Sequence, residues 1–432
     1  MKIRIFLAVG FIALFFNSQA QGYNNLSGQS DGLNVITTAV PFLMIGPDAR
    51  AGGMGDGGVA SSADVFSQHW NSAKYAWNEE KQGIGIAYTP WLRNLVPDIN
   101  LAYVTYFNRI NKLNSIAFSL RYFSLGEIQF TDEQGQSLGW YKPNEFAFDA
   151  SYARRLSDNL SLAVAGRFIY SNLTQGQTVA GVETTAGISI AADIGLYWQK
   201  EVNWFKTIDA EFAWGILISN MGSKMSYTKS NIQSDFIPTN FRAGPRLTLF
   251  IDDYNKIAFQ IDINKLLVPT PPIYARDEEG NLIPIQGSDK FLISAGMDPD
   301  VPPMRGMMQS WYDAPGQVSY QTDANGDVLY DDVTGAALVT VKPGTPFLEE
   351  LQEFNLAIGT EYWYNNIFAI RAGYFWEASN KGNRKYVTLG VGLRYNVFGL
   401  DFSYLIPTTG IENPLQNTLR FALMFNFGKA PK

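Results

Sequence analysis

Tyr386-Val387-Thr388-Leu389-Gly390-Val391-Gly392-Leu393-Arg394-Tyr395 is the stretch that decides the fold of this chain. Successive side chains of a strand point to opposite faces. Val387, Leu389, Val391, Leu393 and Tyr395 therefore share one face, and Thr388, Gly390, Gly392 and Arg394 share the other. Two more stretches repeat the pattern. Leu419, Phe421, Leu423, Phe425 and Phe427 alternate with Arg420, Ala422, Met424 and Asn426, and Ile116, Phe118, Leu120 and Tyr122 alternate with Ser115, Ala117, Ser119 and Arg121. Segments of about ten residues with this period suit strands that meet lipid on one face and a polar lumen on the other. A soluble sandwich shares the period, with its apolar face turned inward, so other features must decide between the two.

The first of these is export. Lys2 and Arg4 precede an apolar run over 5–16, and Ser18-Gln19-Ala20 fits the small-x-small site of a secretory signal peptide, so residues 1–20 are expected to be removed. No later stretch is apolar for the roughly 18 residues that a membrane helix needs. The chain has no cysteine, which removes disulfides, thiolate chemistry and cysteine-ligated metals. Aromatic residues make up 14% and charged residues 17%, and the net charge of -7 gives no reason to expect nucleic acid as a partner. An exported, aromatic-rich chain of alternating segments fits an all-β outer-membrane protein, with lipid as its surroundings.

Connection lengths supply an independent argument. Strands are expected near 83–89, 99–107, 114–124, 144–154, 160–172, 187–199, 209–219, 241–250, 255–264, 353–362, 366–376, 386–395, 398–406 and 418–427, an even count of about fourteen. Links after even-numbered strands are tight, as at 108–113, 156–159, 251–254, 363–365 and 396–397, while those after odd-numbered strands are longer. Outer-membrane barrels sort their connections this way, with short periplasmic turns and long surface loops. Both termini are accordingly expected in the periplasm, and the longest link, at about 265–352, at the cell surface.

The expected inward face carries Arg121, Asp149, Arg167, Asp193, Asp262, Glu361, Arg371, Arg394, Asp401 and Arg420. Charges held inside a barrel must be hydrated or paired. Two readings follow, a structural network of both signs or a polar conduit.

Residues 21–82 do not alternate. They contain Pro47-Asp48-Ala49-Arg50-Ala51-Gly52-Gly53-Met54-Gly55-Asp56-Gly57-Gly58 and then Ser67-Gln68-His69-Trp70-Asn71-Ser72-Ala73-Lys74. Gly53 to Gly58 satisfies the G-x-G-x-x-G string, but no strand precedes it and no helix pattern follows, so dinucleotide binding is not expected. Glycines here instead allow close backbone packing of a plug inside the barrel. His69, the single histidine, has Ser67 and Asn71 nearby in sequence, which opens a nucleophilic reading, although closeness in sequence does not supply triad geometry.

The long link holds Asp323-Ala324-Asn325-Gly326-Asp327, which resembles the start of a calcium loop but lacks the glycine at position six and the glutamate at position twelve. Asp-x-x-Gly recurs at 132–135 and 277–280, which favours ordinary turns, and no cofactor is expected. The same link carries Pro271, Pro272 and Tyr274, then Met304, Met307, Met308, Trp311 and Tyr312. A link this long usually has its own structure or a partner, and Met and aromatic residues are enriched at interface cores. These eight residues are the candidate partner-contact set; the alternative is a self-packed cap on the barrel mouth.

The combination of Ala49-Arg50 with Gly53-Met54-Gly55, then Trp70-Asn71-x-Ala73, ahead of a fourteen-strand barrel, resembles FadL-type outer-membrane proteins. The stretches 39–45, 47–55, 66–71, 371–375 and 381–386 resemble more closely the PorV family, the FadL-like component of the Bacteroidetes type IX secretion system. The resemblance implies a hatch at 21–82 seated in the lumen of a barrel at 83–432, with Asp48, Arg50, Gly52, Gly53, Met54, Gly55, Trp70, Asn71 and Ala73 as its motif. It implies a non-enzymatic role: binding the C-terminal domains of type IX cargo as they leave the SprA translocon, and escorting them to the PorU sortase complex. FadL-like transport of hydrophobic small molecules is the alternative. Lipopolysaccharide O-deacylation, which would centre on His69, is a second one. FadL-type hatches usually carry Asn-Pro-Ala where this chain has Asn71-Ser72-Ala73.

Overall fold

The computed structural model describes residues 33–91, 98–131, 135–179, 182–228, 234–409 and 418–431. The signal peptide expected at 1–20, the start of the hatch segment and most of the turn at 132–135 lie outside the described residues.

Among the described residues, fourteen antiparallel strands close into one barrel. They are β1 (Glu80–Pro90), β2 (Ile99–Arg109), β3 (Asn114–Leu125), β4 (Asn144–Arg155), β5 (Leu160–Asn172), β6 (Gly187–Val202) and β7 (Asp209–Gly222), followed by β8 (Asn240–Phe250), β9 (Asn255–Leu266), β10 (Phe354–Tyr364), β11 (Phe368–Trp376), β12 (Lys385–Tyr395), β13 (Phe398–Pro407) and β14 (Leu419–Lys429). Each pairs with its neighbours in sequence, and β1 closes on β14, Gly83 opposite Asn426. All fourteen strands expected from the period are present, with ends moved by a few residues.

The period also sets the facing. Paired residues share a face, so Ile370, Val391, Phe402, Phe421 and Tyr88 run as one outward apolar row across five strands, exposed except for the half-buried Phe402. Their neighbours Arg371, Gly390 and Ser403 point inward, where Glu361 stands directly opposite Arg371. Lipid-facing and lumen-facing residues thus alternate along every strand.

Tight turns gather at one end, where the barrel begins at Glu80 and finishes at Lys429. Local chemistry makes them: Asn365, Asn366 and Asn396 adopt left-handed backbone, which asparagine tolerates, and the Asp252 carboxylate accepts the backbone N–H groups of Tyr254 and Asn255. The longer links, including 267–353, lie at the opposite end.

Residues 39–78 fill the barrel as a plug of short turns: a 3-10 turn at Pro41–Met44, α1 (Ala49–Gly52), α2 (Ser67–Trp70) and a 3-10 helix at Ser72–Trp77. The plug threads the barrel once. At the long-loop end Asn34 N–H donates to Asn380 O and Ala39 N–H to Phe236 O; at the tight-turn end the Arg109 guanidinium holds Asn78 O. The first described residues, from Leu33, lie at the end opposite Lys429. The reason is topological: an even number of strands returns the chain to its starting side, and the plug adds one further crossing.

Candidate functional site

The plug is held by its own caps first. Asp48 caps α1, its Oδ2 accepting Ala51 N–H at 3.0 Å, while its Oδ1 takes the Trp70 indole N–H. Asn71 caps the following 3-10 helix through Ala73 N–H at 3.1 Å and donates its amide to Val59 O and Leu196 O. Ser72 occupies the first position of that helix. A backbone N–H there has no intrahelical partner, so the position accepts serine as well as proline.

Arg50 is the main tether to the wall. It is buried, and its guanidinium donates to Glu361 through Nε at 2.9 Å and Nη2 at 2.7 Å, and to Asp64, Ser62 O and Ser62 Oγ. Glu361 also accepts from Arg371 at 2.7 Å, Arg371 donates to Asp401 at 2.8 Å, and Asp401 pairs with Arg394 at 2.7 Å. One alternating chain of charge therefore runs Asp64, Arg50, Glu361, Arg371, Asp401, Arg394. Plug residue Asp56 meets Arg420 and accepts the Tyr386 hydroxyl at 2.6 Å. Asp262 accepts Gly58 N–H at 2.6 Å and Val59 N–H at 2.8 Å, and Asp149, Arg167 and Asp193 form a further network on the wall. Of the two readings of the charged inward face, these contacts are those of a structural network.

The glycine motif works by close approach. Gly53 lies on Gly390, where an added Cβ would stand 3.0 Å from the Gly390 Cα, and at Gly373 a Cβ would collide with Gly55 N. Gly55 also adopts a φ of 72°, so it has two reasons to lack a side chain. Gly52 leaves room for the Arg420 side chain, and Met54 fills the space above Gly359. Sequence reasoning found the plug glycines and missed their wall counterparts Gly359, Gly373 and Gly390. Their signal was present, because a glycine at an inward strand position marks a close backbone approach.

Trp70 packs between Gly46 and Gly58 under the Arg242 guanidinium, 4.6 Å from its ring centre, and edge-on to His69. His69 Nδ1 lies 2.7 Å from Arg121 Nη2; because a guanidinium can only donate, Nδ1 is the acceptor and the ring proton sits on Nε2. The Ser67 hydroxyl bonds to Asp64 and Asn71 to backbone carbonyls, so these three residues do not form a relay.

The insertion at 267–353 has elements of its own. It contains small hairpins, α3 (Pro303–Gln309) and α4 (Thr345–Gln352). Asp323 folds its own turn by accepting Asn325 and Asp327 N–H groups, and Asp277 does the same with Asn281. Of the candidate contact residues, Met304, Met308, Trp311 and Tyr312 are exposed, Pro271, Tyr274 and Met307 are half-buried, and Pro272 is buried against Gly296. Pro272 is thus no part of an exposed surface. Trp311 covers the outside of the barrel, its ring 5.6 Å from Phe241 and 6.1 Å from Phe354.

Among solved structures, the chain is similar to the P. putida toluene transporter TodX (11% identity, 89% of this chain and 99% of that chain, TM-score 0.44). It is also similar to the Ralstonia pickettii toluene transporter TbuX (12%, 89% and 98%, TM-score 0.40) and to a Pseudomonas aeruginosa FadL homologue (10%, 91% and 99%, TM-score 0.36). No curated protein sequence matches the chain. The family model of the type IX secretion system protein PorV matches residues 27–273, more than half of the chain and the whole of the plug, and the protein belongs to the PorV family.

Proposed function

We propose that this outer-membrane barrel acts without catalysis, binding the C-terminal domains of type IX cargo as they leave the SprA translocon and escorting them to the PorU sortase complex. The observation that carries this reading is the plug tied to the wall through Arg50, Glu361 and Asp56: a lumen filled in this way leaves the outer surfaces of the protein to act. Family membership supplies the secretion context. The exposed Met304, Met308 and Tyr312 of the insertion are the contact residues we assign to partners, with the long-loop end at the cell surface and the tight turns in the periplasm. FadL-like transport would need a route past the plug, and O-deacylation would need a free general base, whereas the acceptor nitrogen of His69 is already engaged by Arg121.

The test is affinity purification from native outer membranes with mass spectrometry, alongside surface labelling of a type IX cargo in cells whose insertion 267–350 is replaced by a short Gly/Ser linker, with Lys265, which the insertion covers, changed to Leu. Recovery of translocon, sortase and cargo with the intact chain, and loss of both recovery and display with the linker variant at equal barrel abundance, are expected. Normal display without the insertion would sink its role as contact surface. Loss of a lipid-processing activity in His69→Ala, with secretion intact, would move the assignment to the enzyme.

A further inference from the structure

Lys265 is a charged residue on the wrong face. In β9 its partners across the ladder are Phe241 on one side and Phe354 on the other, so all three point outward, above the exposed Phe259, Ile261 and Ile263 of the lipid-facing belt. The climb from Ile257 to Lys265, at about 3.4 Å per residue and a tilt near 40°, is about 20 Å, within the roughly 25 Å height of an apolar belt. A bare lysine there would be costly.

The insertion covers it. Trp311 packs over the Phe241 and Phe354 rings, and Lys265 Nζ reaches Glu350 at 3.1 Å and Glu353 at 2.5 Å, with the lysine wholly buried. Glu349 pairs with Lys381 at 2.7 Å and takes Gly316 N–H, and Glu350 also takes Ala314 N–H. The carboxylates of α4 and the Glu353 that follows it are therefore turned into the protein. Its other face carries Phe347, Leu348 and Leu351, which are 66%, 57% and 46% exposed. A helix in water has the reverse arrangement, with charges outside and apolar residues packed. Here the apolar face leads directly into β10 through the outward Phe354, and so continues the belt.

We infer that the face of α4 formed by Phe347, Leu348 and Leu351 is immersed in lipid acyl chains, as an apron that extends the barrel's apolar belt over β9 and β10. This separates the insertion into a membrane-facing part and a part left free for other contacts. It stands apart from the escort role and depends only on the barrel being in a bilayer.

The absence of native cysteine makes the test clean. Leu348→Cys and Leu351→Cys, each carrying a nitroxide, are reconstituted in vesicles of phosphatidylcholine and phosphatidylglycerol with no other protein. Val391→Cys in the belt and Glu278→Cys in an exposed turn serve as references, and heat-modifiability confirms the barrel in each. Collision with dissolved oxygen at both α4 sites is expected to match Val391→Cys, and collision with a water-soluble nickel chelate to be several-fold lower than at Glu278→Cys. Nickel access equal to that of Glu278→Cys at both sites would overturn the inference and leave this face in water, for a protein partner.

Discussion

Arg50 of the plug and Glu361 of β10 meet in a buried, two-pronged ion pair, with Nε to Oε2 at 2.9 Å and Nη2 to Oε1 at 2.7 Å. The pair joins two segments far apart in sequence and links the plug to the charge chain running along the wall. Arg50→Ala would leave Asp64 without its ion-pair partner and Glu361 with Arg371 alone, and breaking one partner of a buried pair costs up to about 3–5 kcal/mol. The expected outcomes are a lower temperature for the loss of the heat-modifiable form and a rise in ion conductance across planar bilayers. Arg50→Lys should recover only part, because an ammonium cannot reproduce the fork. A closed, equally heat-resistant Arg50→Ala barrel would show that backbone contacts alone hold the plug.

Gly373→Ala should unseat the plug. The new methyl would collide with Gly55 N and Met54 C, both backbone atoms, which cannot swing aside as a side chain does. Gly166→Ala, at an outward position with nothing within 4 Å, is the control. Protease cleavage within 39–78 should rise in the first variant and stay at the parent level in the second. Equal protection in both would mean that β11 and the plug can separate without loss of seating.

The single crossing of the plug makes a topological prediction. Leu33→Cys, exposed and adjacent to the Asn34–Asn380 contact, should react with an impermeant maleimide in intact cells. Lys429→Cys should react only after the outer membrane is opened. Labelling of both from the same side would contradict the threading.

The attachment of the insertion should depend on pH. Burial raises the Asp313 carboxyl from 3.8 to about 6, against hydrogen bonds from Thr270 and Gln309 that lower it. A folded-state pKa above the unfolded value means that the folded form holds the proton more tightly, so this contribution is complete below 3.8 and is lost as pH rises through about 6. Proteolysis of the insertion should therefore increase across that window in the parent, and Asp313→Asn should flatten the dependence. An unchanged profile in the variant would remove Asp313 as its source.

The strands, their facing and the alternation of turn lengths were legible in the sequence, because period two and the turn chemistry of residues such as Asp252 and Asn396 act between neighbours along the chain. The plug glycines were legible for the same reason, as a run that no strand could use. What they touch was not: Gly373 became meaningful only when Gly55 lay against it, and Glu361 only when Arg50 reached it from 311 residues away. The direction of the plug, the fate of Pro272 and the reversal of α4 over Lys265 likewise depend on contacts between distant segments. Local pattern determines which face of a strand meets lipid; only closure of the barrel brings the charges and glycines of its inner face to a plug, and only the folded insertion shows that an outward lysine is covered.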